Sequence, residues 1–240
     1  MRIIWPLRYY LVNWLIKSKI NLSFLIYLSF STTVKISALF GLGLAYAGTQ
    51  NKDLNEALMP ILEDFSFGFE VAAFVSLAFG LNYLGSLDEE VIGNLITILY
   101  TTNESSGEKK LIDSPFLVLY ILGIGLCMLG TQKESDLMIE TFSFNEFPIE
   151  LRMFIKTLLT ACAYAGSGNV AKVQEMQHLV AKGKDEIHPK VQSIAVIGIS
   201  IIALGEEVGS EMALRAFNHF LQYGDSNVKK SVSLATALLK

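Results

Sequence analysis

Cysteine is scarce in this sequence: 240 residues hold two, Cys127 and Cys162, both inside apolar runs. That usage excludes a disulfide framework and leaves no CxxC pair for zinc, so both read as buried thiols in a reducing compartment. Charge is thin as well. Charged residues make up 18% against 52% hydrophobic, with a mean hydropathy of +0.44, and such a chain is not disordered. The first 35 residues lack any acid and carry Arg2, Arg8, Lys17, Lys19 and Lys35, so residues 36–240 hold 14 basic against 23 acidic side chains, a net −9. An acidic body excludes the electrostatic footprint of a nucleic-acid binder. The three histidines, His178, His188 and His219, share no ligand spacing with cysteines or carboxylates, so no metal is expected.

Uncharged runs long enough to span a bilayer are nearly absent. Ser114–Gln132 meets the length rule with 19 uncharged residues, but Pro115 and the polar ends trim its apolar part to the 15 residues Phe116–Gly130. Runs of the same texture elsewhere contain Glu70 or Lys156, so buried inner helices account for all of them. The leader Ile3–Phe30 is apolar, basic and acid-free like a signal anchor, yet Arg8, Lys17 and Lys19 interrupt it. Its longest uncharged stretch, Ile20–Val34, contains six Asn, Ser or Thr among 15 residues.

What the sequence does have is an internal repeat. GLGLAYAG (Gly41–Gly48) returns as AFGLNYLG (Ala78–Gly85), GIGLCMLG (Gly123–Gly130), LTACAYAG (Leu159–Gly166) and GISIIALG (Gly198–Gly205). Five residues before each closing glycine stands a small residue: Gly43, Gly80, Gly125, Ala161, Ser200. Small residues at that spacing let a neighbouring helix backbone approach closely, which offsets the helix-propensity cost of glycine. The closing glycines Gly48, Gly85, Gly130, Gly166 and Gly205 sit where a helix needs a left-handed residue at its C-terminus. Thr131 with Glu134, and Ser86 with Glu89, read as capping boxes opening the following helix. Each unit's second helix shows one apolar stripe: Leu54, Ala57, Leu58, Ile61 and Leu62; Val91, Leu95, Ile98 and Leu99; Val170, Val173, Met176 and Val180. First helices, apolar almost all round, must be covered on every side.

The expected fold is therefore all-α, an α-solenoid of helix pairs. Residues 1–35 form a leader, residues 36–227 five repeats, and residues 228–240 the start of a sixth that stops before a closing glycine. Thr101–Ser114 reads as a polar surface loop that explains the one long spacing.

No catalytic constellation emerges. GLGLAYAG lacks GxGxxG spacing and lies within a helix rather than before one. Gly166-Ser167-Gly168 is a helix-to-helix turn, not a nucleophile elbow. The paired acids Glu89/Glu90 and Glu206/Glu207 sit at helix starts, where the macrodipole favours them.

The repeat resembles the proteasome/cyclosome repeat family, found in the two large non-ATPase subunits of the proteasome regulatory particle and in the largest subunit of the anaphase-promoting complex. CAYAGSGNVAKVQEMQHL (Cys162–Leu179) and ALGEEVGSEMALRAFNHFLQYG (Ala203–Gly224) look like helices of the non-ATPase subunit 1 family, the ubiquitin-receptor scaffolds of the base. The resemblance covers residues 36–240 and extends to solvent-facing Lys172, Gln174, Glu175 and Glu211, which packing alone would not fix. It implies an armadillo-like superhelix forming an incomplete α-toroid, without catalytic residues or cofactors. It also implies a cytoplasmic and nuclear scaffold whose partners are the base ATPase subunits, other regulatory-particle subunits, ubiquitin and the ubiquitin-like domains of shuttle receptors, and a ubiquitin-specific protease. Neither nucleic acid nor a small-molecule substrate is implied. The rival readings are the other scaffolds of this repeat family, non-ATPase subunit 2 or the cyclosome subunit, and a polytopic membrane protein. The last would place Glu70, Arg152 and Lys156 inside spans at a cost of several kcal/mol each. Ala181–Val191 is shorter than the charged insertion that the family carries there, and the family's chains are far longer, so this sequence reads as a partial copy.

Glu134, Asp136 and Glu140 face solvent if Leu137, Met138 and Phe142 face in. The resemblance implies that such an acidic outer helix, with exposed Met138 or Ile139, meets the basic rim of a ubiquitin-like domain. By the same reasoning Asp53 and Glu56 are candidates for a neighbouring protease-docking site.

Overall fold

The computed structural model describes residues 31–105, 111–143, 147–182 and 186–239. The reading of the leader lies, up to Phe30, outside the described residues, as does part of the Ala181–Val191 segment. The described residues form eleven α-helices and no strand: α1 (Thr32–Ala45), α2 (Lys52–Glu63), α3 (Gly68–Asn82), α4 (Glu89–Ser105), α5 (Leu117–Cys127), α6 (Lys133–Ser143), α7 (Ile149–Ala163), α8 (Val170–Ala181), α9 (Pro189–Ala203), α10 (Glu207–Tyr223) and α11 (Ser226–Leu238). They belong to two compact units, Met1–Gly107 with Ser114–Cys127, and Glu108–Asp113 with Met128–Lys240. The expected all-α helical repeat is the fold observed.

All five closing glycines adopt left-handed backbone, with φ of 71°, 63°, 74°, 67° and 87° at Gly48, Gly85, Gly130, Gly166 and Gly205. Two residues further on, Gln50, Leu87, Gln132 and Gly168 are left-handed again, with φ between 51° and 62°. This double reversal turns two N–H groups per turn toward the next first helix. Gly48 N–H donates to the Leu81 carbonyl (2.8 Å) and Gln50 N–H to Asn82 (3.1 Å); Gly85 donates to Leu126 (3.0 Å) and Leu87 to Cys127 (3.0 Å). In the second unit Gly130 donates to Cys162 (3.2 Å), Gln132 to Ala163 (3.0 Å), Gly166 to Ile201 (2.9 Å) and Gly168 to Ile202 (2.9 Å). The acceptors stand four and three residues before the next closing glycine in every case. They are last-turn carbonyls, the groups that a helix C-terminus leaves short of partners, so each repeat caps the C-terminus of the one after it; the Cys162 carbonyl also accepts from the Ala165 N–H.

The hydroxyl after each of the first four closing glycines does not open the next helix. Thr49, Ser86, Thr131 and Ser167 instead donate back to the carbonyls of Tyr46, Tyr83, Met128 and Tyr164 at 2.7–2.9 Å. The capping boxes read for Thr131/Glu134 and Ser86/Glu89 are thus corrected: both hydroxyls are spent on the preceding helix end. The true N-caps come later. Asn51 accepts from the Asp53 and Leu54 N–H groups, Asp88 from Glu90 and Val91, and Asn169 from Ala171 and Lys172.

First helices stack through their small positions. A β-carbon at Gly43 would lie 2.9 Å from the Ala78 Cα, and one at Gly80 would overlap the Gly123 backbone, 2.8 Å from its Cα and carbonyl carbon. One at Gly198 would press on the Ala161 β-carbon at 3.2 Å. The small residue five before one closing glycine thus faces the residue seven before the next, in both units. Gly41 departs from this pattern, since a β-carbon added there would meet nothing within 4 Å. Between α3 and α5, Ser76 donates to the Tyr120 carbonyl (2.8 Å), and Tyr120 donates to the Leu95 carbonyl of α4 (2.7 Å). Burial raises the Tyr120 pKa far above its ordinary value, which holds this hydroxyl protonated as a donor.

Outer helices bury most of the expected stripes, with Ala57, Ile98 and Val173 only half-buried. Ile92 joins Val91, Leu95 and Leu99 in the core, whereas Val170 is 55% exposed because Asn169 caps α8 at the surface. Thr101–Ser114 is not wholly a loop: α4 continues to Ser105, and Leu111 and Ile112 form a short 3-10 turn with both side chains buried. Lys190 fixes that turn by donating to the Ile112 carbonyl (2.7 Å). The run Ser114–Gln132 yields only the eleven-residue α5, too short to cross a membrane. Among the described residues one stretch, Phe65–Asn82, is long and apolar enough to do so, and half of it is buried inside the protein.

Candidate interaction surface

Helix α6 begins at the surface because Gln132 turns the chain and Glu134 and Asp136 supply acids to its first turn. Its phase is set by Ser135 and Ile139, four residues apart, which are both buried. That fixes the rest. Glu134 and Glu140 are exposed, Met138 and Asp136 are half-buried, and Leu137 is 76% exposed. Two orientations expected from the sequence are therefore reversed. Leu137 faces solvent rather than the core, and Ile139, at 3% exposure, offers no surface to a partner. The Phe142 side chain lies outside the described residues.

Asp136 is committed inside the repeat. Tyr164 Oη donates to its carboxylate at 2.7 Å, and the Lys172 ammonium donates to its other oxygen at 3.4 Å. Lys172 also lies 4.9 Å above the Tyr164 ring and 3.8 Å from Glu175, which in turn meets Lys156 at 3.6 Å. Burial, followed by the adjacent Asp136 carboxylate, pushes the Tyr164 phenol up to about 12. The chain Asp136–Lys172–Glu175–Lys156 alternates in sign and ties α6, α7 and α8 together. Sequence reading did not find it, although tyrosine two residues before the closing glycine, at Tyr46, Tyr83 and Tyr164, was a usable signal. Tyr83 makes a parallel contact in the first unit, where Asn55 Nδ2 lies 3.4 Å from its hydroxyl.

On α2, capped by Asn51, Asp53 and Glu56 are both exposed on the face opposite Leu54, Leu58, Ile61 and Leu62. Asp53 stands in the first turn, where the helix dipole favours it. Glu63 is exposed on the same helix, so acids dominate its wet side.

Among the described residues no three His, Cys, Asp or Glu side chains are placed to hold a metal ion. Cys127 and Cys162 are buried, and burial pushes both thiols up to about 12, so neither is a ready nucleophile. What these helices present to solvent is exposed carboxylates, with Leu137 as an exposed apolar side chain on α6.

No family model matches the chain. Similar proteins are nonetheless found across eukaryotic kingdoms. Over 211 residues, 88% of this chain, it is 41% identical to the 26S proteasome non-ATPase regulatory subunit 2 of Dictyostelium discoideum. Over 86% of the chain it is 35% identical to the 26S proteasome regulatory subunit rpn-1 of Neurospora crassa. Over 78% it is 39% identical to the 26S proteasome non-ATPase regulatory subunit 2 homolog A of Arabidopsis thaliana. The chain spans about a fifth of the length of these relatives, between 20% and 23%. The resemblance to non-ATPase subunits of the proteasome regulatory particle is thereby shown.

Proposed function

We propose that this chain, a relative of the 26S proteasome non-ATPase regulatory subunits over about a fifth of their length, is a non-catalytic scaffold segment that docks ubiquitin-like domains. As such it would work beside the base ATPase subunits and other regulatory-particle subunits, in cytoplasm and nucleus. One observation carries the docking half of this reading. On α6, Glu134 and Glu140 flank Leu137 at three residues on either side, so the helix presents one apolar knob between two exposed carboxylates. A ubiquitin-like domain has the complementary arrangement, a basic rim around an apolar patch. Met138 lies half-buried at the edge of the same face. Asp136 contributes negative potential from its place in the Tyr164–Lys172 network and orients α6. Asp53 and Glu56 on α2 form the proposed neighbouring face for a ubiquitin-specific protease.

The test is titration of a ubiquitin-like domain into the parent chain, Glu134→Lys/Glu140→Lys and Leu137→Ser, each at low and moderate salt. Charge reversal should weaken binding and flatten its salt dependence, since exposed rim charges act mainly on association rate. Leu137→Ser should weaken binding about tenfold at both salts, as expected for loss of a central apolar contact. Asp136→Lys is unsuited to this purpose because it would disrupt the internal network. Equal affinities for all three proteins would remove this face from the site, and no binding to the folded parent would remove the receptor function.

A further inference from the structure

We infer that the outer stripe of α1 is the docking face for residues 3–30 of this same chain. Helices α1 and α3 are both apolar first helices of the repeat, yet only Leu39, Leu42 and Gly43 are buried along the fourteen residues of α1, against nine of fifteen along α3. Val34, Ala38, Gly41 and Leu44 recur three or four residues apart and are all exposed, Val34 to 58% and Leu44 to 48%. A first helix of this repeat is apolar all round because it is meant to be covered on both flanks. On α1 only the flank toward α3 is covered by described residues; a β-carbon on Gly41 would meet nothing, whereas one on Gly43 would meet Ala78. Nothing charged interrupts the stripe, and Lys35 is turned aside over the Phe67 ring at 4.3 Å.

Residues 3–30 fit this face on three counts. They end at Phe30, one residue before Ser31 and the start of α1, so a tethered segment competes at millimolar effective concentration where a second copy competes only at its bulk concentration. They are apolar and acid-free, with Arg8, Lys17 and Lys19 as cations, against a net −9 over residues 36–240. Polar Asn21, Ser23 and Ser29 are spaced among the apolar residues. Such side chains supply donors, and the Leu44 and Ala45 carbonyls occupy the register that on every later first helix receives the turn of the preceding repeat.

Limited trypsin digestion of the full chain tests this, because Arg8, Lys17 and Lys19 lie in the docking segment. Cleavage there should be at least about tenfold slower in the parent than in Leu44→Glu, with Val34→Glu as a second variant should the first lose helicity. In a chain lacking residues 1–30, the α1 amides should exchange about tenfold faster, and a peptide of residues 3–30 should restore their protection. Equal cleavage in parent and both variants would overturn the inference. So would α1 protection that vanishes on dilution, which assigns the face to a second copy, or protection that requires lipid vesicles, which assigns the leader to a membrane.

Discussion

Replacing Gly80 by alanine isolates the close approach of α3 and α5. The added β-carbon would overlap the Gly123 backbone, and backbone cannot rotate away as a side-chain tip can. Forcing such an atom into a packed contact costs about 1–3 kcal/mol, while alanine's better helix propensity returns about 0.5–1 kcal/mol. The net expectation is a loss of about 1–2 kcal/mol. For a chain of this length that lowers the melting temperature by roughly 2–8 °C. Gly93, inside α4, is the matched control: it is exposed, and a β-carbon there would meet nothing within 4 Å. The same chemical change at Gly93 should therefore gain about 0.5–1 kcal/mol and raise the melting temperature by roughly 1–4 °C. Thermal unfolding followed by circular dichroism reads both. If Gly80→Ala melts at or above the parent, the helices do not approach as described and the small-residue register is not a packing device.

Tyr164→Phe removes a hydrogen bond to a carboxylate and should cost about 1.5–3 kcal/mol near neutral pH. Because the folded Tyr164 titrates near 12 and an unfolded tyrosine near 10.0, the unfolded state loses its proton first, and parent stability falls as pH rises between those values. The variant lacks that contribution, so the gap between parent and Tyr164→Phe should narrow from pH 9 to pH 12 in denaturant titrations; a constant gap would contradict the assignment. Cys127 and Cys162, buried and shifted up to about 12, should resist a thiol reagent at pH 8 in the native chain and react together on addition of denaturant, as read by mass spectrometry. Native-state labelling at the rate of a free thiol would show that the packing around them is wrong.

Much of the fold was legible because one residue type answers to one backbone demand. Each closing position needs left-handed φ, so glycine appears there five times, and the small residue five before it marks where another backbone passes. Residues able to do two things were harder to assign. Ser86 and Thr131 can cap forward or backward, and only the left-handed φ of Leu87 and Gln132, which no side chain announces, decides for the backward bond. The phase of α6 was ambiguous for a similar reason. Leu137, Met138 and Ile139 are consecutive and apolar, and a shift of one residue rotates the face by about 100°. Burial of Ser135 fixes that phase, and a buried serine resembles an exposed one in sequence. Asn82 was invisible for want of periodicity: its side chain clamps the Thr49–Asn51 turn through bonds of 3.0–3.1 Å, a device used in one repeat alone among the described residues.

The most direct test of the architecture is residue-resolved amide exchange at the turns. The amides of Gly48, Gln50, Gly85, Leu87, Gly130, Gln132, Gly166 and Gly168 lie in short exposed connections, yet each donates to a last-turn carbonyl of the following first helix. If one register joins successive repeats within each unit, these eight amides should exchange as slowly as the interiors of α3 and α9, since opening them requires separating neighbouring first helices. Exchange at the rate of an unstructured chain would show that the turns do not cap their neighbours, and the helix pairs would have to be held together by side-chain packing alone.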